Sequence, residues 1–190
     1  ACLIVLLGSL LGTESPLTIT QMLWVNLIMD TFAAGALASL PPNERVMKDK
    51  PRRSGKDGDF IITRPMAYNI FGVGFAFVVI LMGLLFYFHA QDGLTPHDLS
   101  WFFSFFVMLQ FWNMFNAKAF MEGRSAFANL KDSKSFLLVA LLILIGQYLI
   151  VTFGGEMFSV IPLPLEDWAI IIGSSSLVLW IGELFRLFKR

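Results

Sequence analysis

The sequence predicts an all-α fold, a polytopic transmembrane helical bundle, on two observations. Of its 190 residues 56% are hydrophobic and only 15% are charged, whereas a soluble domain carries about a quarter charged residues. The apolar residues also form long continuous runs, of the kind that cross the hydrocarbon core as helices of about 20 residues. Strands of a membrane barrel would be about ten residues long and would alternate apolar with polar positions. A helical bundle is therefore the better interpretation.

The first predicted element is half a helix. Residues 1–12 hold an apolar run that, as a helix, reaches only about 18 Å, which is too short to cross a bilayer. We expect the second half of a truncated membrane helix; a short interfacial or re-entrant segment is the alternative. A signal peptide would need a basic leader and a small-residue cleavage site, and the sequence has neither.

Five later runs are long enough to span the membrane, and polar segments separate them. These spans cover approximately residues 20–40, 66–88, 100–120, 135–153 and 168–188. Together with the half helix they form one predicted transmembrane domain over residues 1–190. We find no convincing internal repeat, such as the two related halves of many secondary transporters.

The distribution of basic residues predicts the orientation of the chain. All 14 Lys and Arg fall in alternate segments: seven in 45–64, four in 118–134 and three in 186–190. By the positive-inside rule these segments, and with them the C-terminus, are cytoplasmic. The segment 45–59 mixes both charge signs and is either a plain linker or a docking surface for a cytoplasmic partner or domain. The net charge of zero argues against a nucleic-acid binder.

Asp30 is the carboxylate with the highest expected free-energy cost of insertion into the membrane. It lies in the middle of the run 20–40, where an acidic residue costs about 2.5 to 3.5 kcal/mol on insertion scales. Glu183 also lies in an apolar run, but Arg186 three positions later and the nearby interface predict a helix-face ion pair there. A carboxylate kept at the position of Asp30 is a functional-site candidate by default.

Asn26 precedes Asp30 by four positions, so both side chains are expected on one helix face. A carboxylate and an amide carbonyl are oxygen ligands of the kind that Ca²⁺ prefers. Since Ca²⁺ takes about six to eight of them, further ligands would have to come from other helices, backbone or water. The pair is either part of a cation site, which we favour, or a hydrogen-bonded contact between helices.

The run 100–120 carries a stripe of three amides, Gln110, Asn113 and Asn116. Their spacing suits a contact between helices, and they could also border a cation pathway. Because amides alone are weak cation ligands, we favour the structural interpretation for the stripe, and likewise for Gln147 in the next run. No phosphate-binding glycine loop is present, so the chain by itself is not expected to bind ATP.

Several segments of the sequence resemble those of a known protein family. Pro16-Leu17 followed by the segment 21–32, QMLWVNLIMDTF, is similar to the sixth transmembrane helix of the P-type calcium-transporting ATPases, closest to the plasma-membrane type. The segment 108–118, MLQFWNMFNAK, is similar to their eighth helix, and 153–158, FGGEMF, with Trp168 beyond it, resembles the approach to their tenth. The resemblance covers the whole chain, from late in the fifth helix to the end of the tenth.

The resemblance implies an ATP-driven pump of which this chain is the C-terminal membrane part. Asn26 and Asp30 match cation ligands of the family's sixth helix and would supply a carbonyl and a carboxylate to one transported Ca²⁺. Met29 and Gln110 replace a ligating threonine and a ligating glutamate of pumps with two calcium sites, which favours a single site. Secretory-pathway pumps share the pattern, so the resemblance also allows Mn²⁺.

The cytoplasmic domains and the N-terminal helices of such a pump are absent from this sequence. We expect ATP and Mg²⁺ to be bound only by missing cytoplasmic domains, and the chain alone to be inactive. Its expected partners are the lipid bilayer, the missing N-terminal helices and those domains, and its expected location is the plasma membrane or the bacterial inner membrane. The alternative from another class is a non-enzymatic membrane protein, either an ion-conducting subunit or an assembly subunit.

Overall fold

A computed structural model of the chain describes residues 1–10, 12, 15–40, 62–122 and 125–188, without the side chains of residues 91, 92, 121 and 122. The basic segment 45–59, with its two interpretations as a linker or a docking surface, lies outside these residues. So do the prolines at 41 and 42 and the last two residues, 189–190.

Helices make up all the regular secondary structure of the described residues. They are α1 (Cys2–Leu10), α2 (Ile19–Leu23), a π-helical segment (Trp24–Met29), α3 (Asp30–Ala38), α4 (Arg64–Asp92), α5 (Pro96–Glu122), a 3₁₀ turn (Leu130–Asp132), α6 (Lys134–Phe153), α7 (Gly155–Phe158) and α8 (Leu165–Phe188). The half helix and the five longer helical runs predicted from the sequence are confirmed as helices, with ends that differ by a few residues. The short helix α7 was not predicted.

Three helices of the described part are long and apolar enough to cross a membrane, namely Arg64–Ala90, Lys134–Phe153 and Leu165–Phe188. The helix α5 is longer than α6, but polar side chains along it lower its hydropathy. The continuous helical run 19–38 is interrupted by the π-helical segment. The described residues therefore contain three helices of membrane length and hydropathy, and membrane crossing by the other two runs stays a prediction.

The helix α5 is the centre of the bundle. It contacts α3, α4, α6 and α8, and its aromatic and aliphatic side chains are buried almost all round, among them Phe102, Phe103, Val107 and Met108. A helix with buried side chains on most of its sides is expected in the interior of a bundle. The helices α4, α6 and α8 leave most of their apolar surface exposed, which is the surface that lipid would cover.

The helices α5 and α8 run in the same direction and are joined along their length. His97 Nε2 lies 2.8 Å from Asp167 Oδ2 at one end, and Trp112 Nε1 donates to Ser175 Oγ over 3.1 Å in the middle. Since α6 lies between them in sequence, parallel α5 and α8 are what a chain that crosses the membrane in alternate directions requires.

At the opposite end of these two helices, charged side chains form hydrogen bonds with each other and with the segment that follows α5. Glu183 Oε1 accepts from the backbone N–H of Ala126 over 2.6 Å and from Arg186 Nη2 over 2.8 Å. Lys118, which is fully buried, donates from Nζ to the carbonyl of Ala128 over 2.6 Å. The ion pair predicted between Glu183 and Arg186 is thus confirmed. Buried charges with such partners avoid most of the cost of desolvation.

Candidate cation site

The helix that carries Asn26 and Asp30 changes its winding at these residues. Between α2 and α3 the segment Trp24–Met29 is π-helical, and the N–H of Asp30 donates to the carbonyl of Val25, five residues back. A π-helical turn holds one residue more than an α-helical turn, and such turns occur frequently at functional sites. The segment contains neither Gly nor Pro, so no residue type in the sequence indicated the interruption.

The two faces of this segment differ sharply in burial. Val25 and Met29 are buried, with 0% and 3% exposure, and pack into the core of the bundle. Asn26 and Asp30 are exposed and line the same groove, of about 1200 Å³, which α1, α4 and α5 also border. The expectation that these two side chains share one face is therefore confirmed, although the turn between them is π-helical rather than α-helical.

The amide stripe of α5 forms another wall of this groove. Gln110, Asn113 and Asn116 all line it. A smaller cavity of about 180 Å³ between α3 and α5 is lined by Asp30, Met29, Gln110 and Asn113. Asp30 therefore borders two cavities, and two amides of α5, Gln110 and Asn113, line both of them with it.

The three amides have different surroundings. Asn116 donates from Nδ2 to the carbonyl of Val178 over 3.0 Å and accepts from Arg186 Nη2 over 2.9 Å, so the predicted contact between helices is confirmed for Asn116. Gln110 and Asn113 make no hydrogen bond with any residue that the structure describes. These two amides are therefore free to face an occupant of the groove or the cavity.

Gln147 also forms the predicted contact between helices. Its Oε1 accepts a hydrogen bond from the indole N–H of Trp24 over 3.0 Å, which joins α6 to the start of the π-helical segment. One turn before Trp24, a capping box of Thr18 and Gln21 begins α2, and Gln21 Nε2 donates to the carbonyl of Phe158 over 2.9 Å. The approach to the site is thus tied to both α6 and α7.

The side chains of Asn26 and Asp30 would be too few to complete the coordination shell of a cation. Over the described ranges there is no group of three or more His, Cys, Asp or Glu side chains that could hold a metal ion. An ion bound at Asp30 would therefore use one carboxylate and complete its shell with amide or backbone carbonyls and water, which hard cations such as Ca²⁺ accept. The oxygen-only donor set fits such a cation better than it fits Zn²⁺ or copper.

Comparison with known proteins identifies the family of this chain. Residues 14–188 match the family described as "Cation transporting ATPase, C-terminus". The chain belongs to this family. As a cation-transporting ATPase C-terminus it is homologous to P-type calcium-transporting ATPases, as the resemblance implied.

Three relatives illustrate the match. Plasma membrane calcium-transporting ATPase 1 of Homo sapiens is 34% identical in an alignment that covers 97% of this chain and 16% of the relative. Plasma membrane calcium-transporting ATPase 2 of Oreochromis mossambicus is 35% identical over 94% of the chain and 17% of the relative. Plasma membrane calcium-transporting ATPase 3 of Homo sapiens is 35% identical over 94% and 15%.

The cation-transporting ATPase C-terminus spans about a sixth of the length of these relatives. The predicted integral membrane location is confirmed by its three membrane-length helices together with this homology. The family match covers α2 to α8 and therefore includes both Asn26 and Asp30.

Proposed function

We propose that this chain is the C-terminal membrane part of an ATP-driven calcium pump and that Asn26 and Asp30 are ligands of the transported ion. The observation that carries the proposal is their placement. Both side chains are exposed on one face of a π-helical interruption, in a groove between helices. Neither side chain makes a hydrogen bond with another described residue, which favours a cation site over the alternative, a hydrogen-bonded contact between helices.

In this proposal the run 19–38 and α5 cross the membrane together with α4, α6 and α8. With five spans, Lys118, Lys131 and Arg186 would lie on the cytoplasmic side, and the plasma-membrane relatives favour that membrane as the location. ATP and Mg²⁺ would be bound by cytoplasmic domains outside this sequence. Those domains and the N-terminal helices are the protein partners that we propose, beside the lipid bilayer.

A single Ca²⁺ is the proposed cargo for each cycle. Asp30 is the carboxylate of the groove, and the neighbouring positions Met29 and Gln110 offer a thioether and an amide. One carboxylate neutralises one of the two charges of the ion, so a second divalent cation beside it would lack a counter-charge. Mn²⁺ takes the same oxygen ligands, and competition between the two ions in the assay below measures the preference.

The test compares Asp30→Asn with Asp132→Asn in the full-length protein. Asp132 is an exposed carboxylate of the 3₁₀ turn, so its substitution is the matched loss of one charge away from the groove. We expect Asp30→Asn to abolish phosphorylation by ATP at micromolar Ca²⁺ and Asp132→Asn to leave it unchanged. Size-exclusion chromatography of both variants checks that they are folded.

Unchanged calcium dependence in folded Asp30→Asn would refute the proposed site. Asn26→Ala is expected to raise the Ca²⁺ concentration for half-maximal phosphorylation at least about tenfold, because an ion-bound carbonyl is worth more than a neutral hydrogen bond. The rival function, a non-enzymatic ion-conducting or assembly subunit, predicts no phosphorylation by ATP in any variant.

A further inference from the structure

The π-helical segment has a side-chain attachment to a helix outside the groove. Trp24, its first residue, donates its indole N–H to Gln147 Oε1 over 3.0 Å. The same indole ring lies against Gly146, where an added Cβ would stand 2.7 Å from the ring. No other side chain of the six-residue segment forms a hydrogen bond within the described part of the chain. Trp24 is therefore the polar connection between the segment and α6.

The winding of this segment decides where Asn26 and Asp30 point. An α-helix turns about 100° per residue, so conversion of the π turn to α-helical winding would rotate one flank against the other by about that angle. The flanks are held separately, since Gln21 is bonded to Phe158 and Ala36 is buried with 2% exposure. Between these two anchors, the hydrogen bond of Trp24 attaches the segment itself to α6.

The buried amide of Gln147 costs more stability than a purely structural contact would explain. Its side chain is fully buried in the bundle, and its Nε2 makes no hydrogen bond with the residues described. Leaving a buried donor unpaired costs more stability than a hydrogen bond between membrane helices contributes on average. A leucine would pack here with less cost to stability. The amide is thus explained better by its effect on Trp24 than by the stability of the bundle.

We propose that Gln147 and Gly146 are positioning residues of the cation site. Through Trp24 they hold the π-helical segment in the winding that places Asn26 and Asp30 in one groove. The helix α6 acts on ion affinity in this way without contributing a ligand. The inference rests on the proposed function, since it concerns the affinity of the site at Asp30.

The test uses Gln147→Leu and Trp24→Phe in the full-length protein, each of which removes one partner of the hydrogen bond. We expect the Ca²⁺ concentration for half-maximal phosphorylation by ATP to rise about two- to tenfold in each, the range of one net hydrogen bond. The double variant should rise no more than the larger single effect, because both substitutions break the same contact. The thermal midpoint of Gln147→Leu should be equal to that of the parent or higher.

The matched control is the other indole bond of the bundle, Trp112 to Ser175. It joins α5 to α8 away from the π-helical segment, so Trp112→Phe should leave the calcium dependence unchanged. For the glycine contact, Gly146→Ala should weaken calcium affinity because it displaces the indole ring. Gly83→Ala in α4, where an added Cβ meets nothing within 4 Å, should not.

The possible results separate this inference from the proposed function. If Asp30→Asn keeps normal calcium dependence in the same assay, the proposed function fails. If Asp30→Asn loses it while both Gln147→Leu and Trp24→Phe stay within about twofold of the parent, only the positioning role is refuted. A fall in thermal midpoint with unchanged affinity would also overturn it, because that result describes a structural contact. If Gln147→Leu does not fold, Trp24→Phe, which retains an aromatic ring, decides.

Discussion

At the scale of single residues, burial and hydrogen bonding separate amides that look equivalent in the sequence. Gln110, Asn113 and Asn116 repeat at intervals of three along one helix, and the sequence favoured a structural role for all of them. Only Asn116 forms hydrogen bonds with another described helix, α8. The spacing of polar residues predicts that they share a face. It cannot predict which of them meets a partner, because that depends on the helix that packs opposite.

The contact at Asn116 leads to a prediction about a glycine of the facing helix. A Cβ added to Gly182 would clash with the side-chain amide of Asn116, which holds Val178 and Arg186. Gly182→Ala is therefore expected to lower the free energy of unfolding by about 1 to 3 kcal/mol through overpacking. Thermal unfolding in detergent measures it.

A second glycine of α8 provides the control for that prediction. Gly173 has nothing within 4 Å of an added Cβ, so Gly173→Ala should keep the parent midpoint or raise it slightly through helix propensity. Equal midpoints for the two variants would contradict the packing described for Asn116.

At the scale of elements, the π-helical segment is the feature that sequence periodicity missed. The apolar run 20–40 predicted one helix, and the structure has a helical run over 19–38 with a changed winding inside it. The segment contains neither Gly nor Pro, so we attribute the changed winding to tertiary contacts. The buried Val25 and Met29, the bond from Trp24 to Gln147 and the anchored flanks together favour the additional residue in this turn.

A deletion tests this description of the element. Leu27 is 62% exposed in the middle of the segment. Its removal should convert the π turn to α-helical winding while both flanks keep their contacts, because a π turn contains one residue more than an α turn. We expect the deletion variant of the full-length protein to remain folded by size-exclusion chromatography. It should lose calcium-dependent phosphorylation, because Asn26 would then precede the carboxylate by three residues.

A deletion in a regular helix is the matched comparison. Removing Ser174 from α8 should rotate the residues beyond it by about 100° and break the contacts of Ser175 and Val178 with α5. That variant is expected to unfold or aggregate. If both deletions disrupted folding equally, the π-helical segment would not be the insertion that we describe.

At the scale of the whole molecule, composition and charge predicted the helices and their order. Both properties of the sequence are set directly by the surrounding lipid and water. A lipid environment requires long apolar helices, whatever their partners. The pairing of helices depends on side-chain contacts instead, and the sequence indicated few of these in advance. Two of these contacts join segments that are far apart in sequence: His97 with Asp167, and the N–H of Ala126 with the carboxylate of Glu183.

The orientation of the bundle gives the last prediction. Lys131 and Glu156 are both exposed and lie beyond opposite ends of α6, since Lys131 precedes it and Glu156 follows it. Because all basic residues belong to the segments on the side of Lys131, the positive-inside rule places that residue in the cytoplasm and Glu156 outside. In the full-length protein with its native cysteines replaced, a cysteine substituted for Glu156 should react with a membrane-impermeant maleimide in intact cells. A cysteine substituted for Lys131 should react only after the membrane is opened. Since α6 alone separates the two positions, labelling of both in intact cells would mean that α6 does not cross the membrane. The predicted alternation of the helices across the membrane would then be wrong.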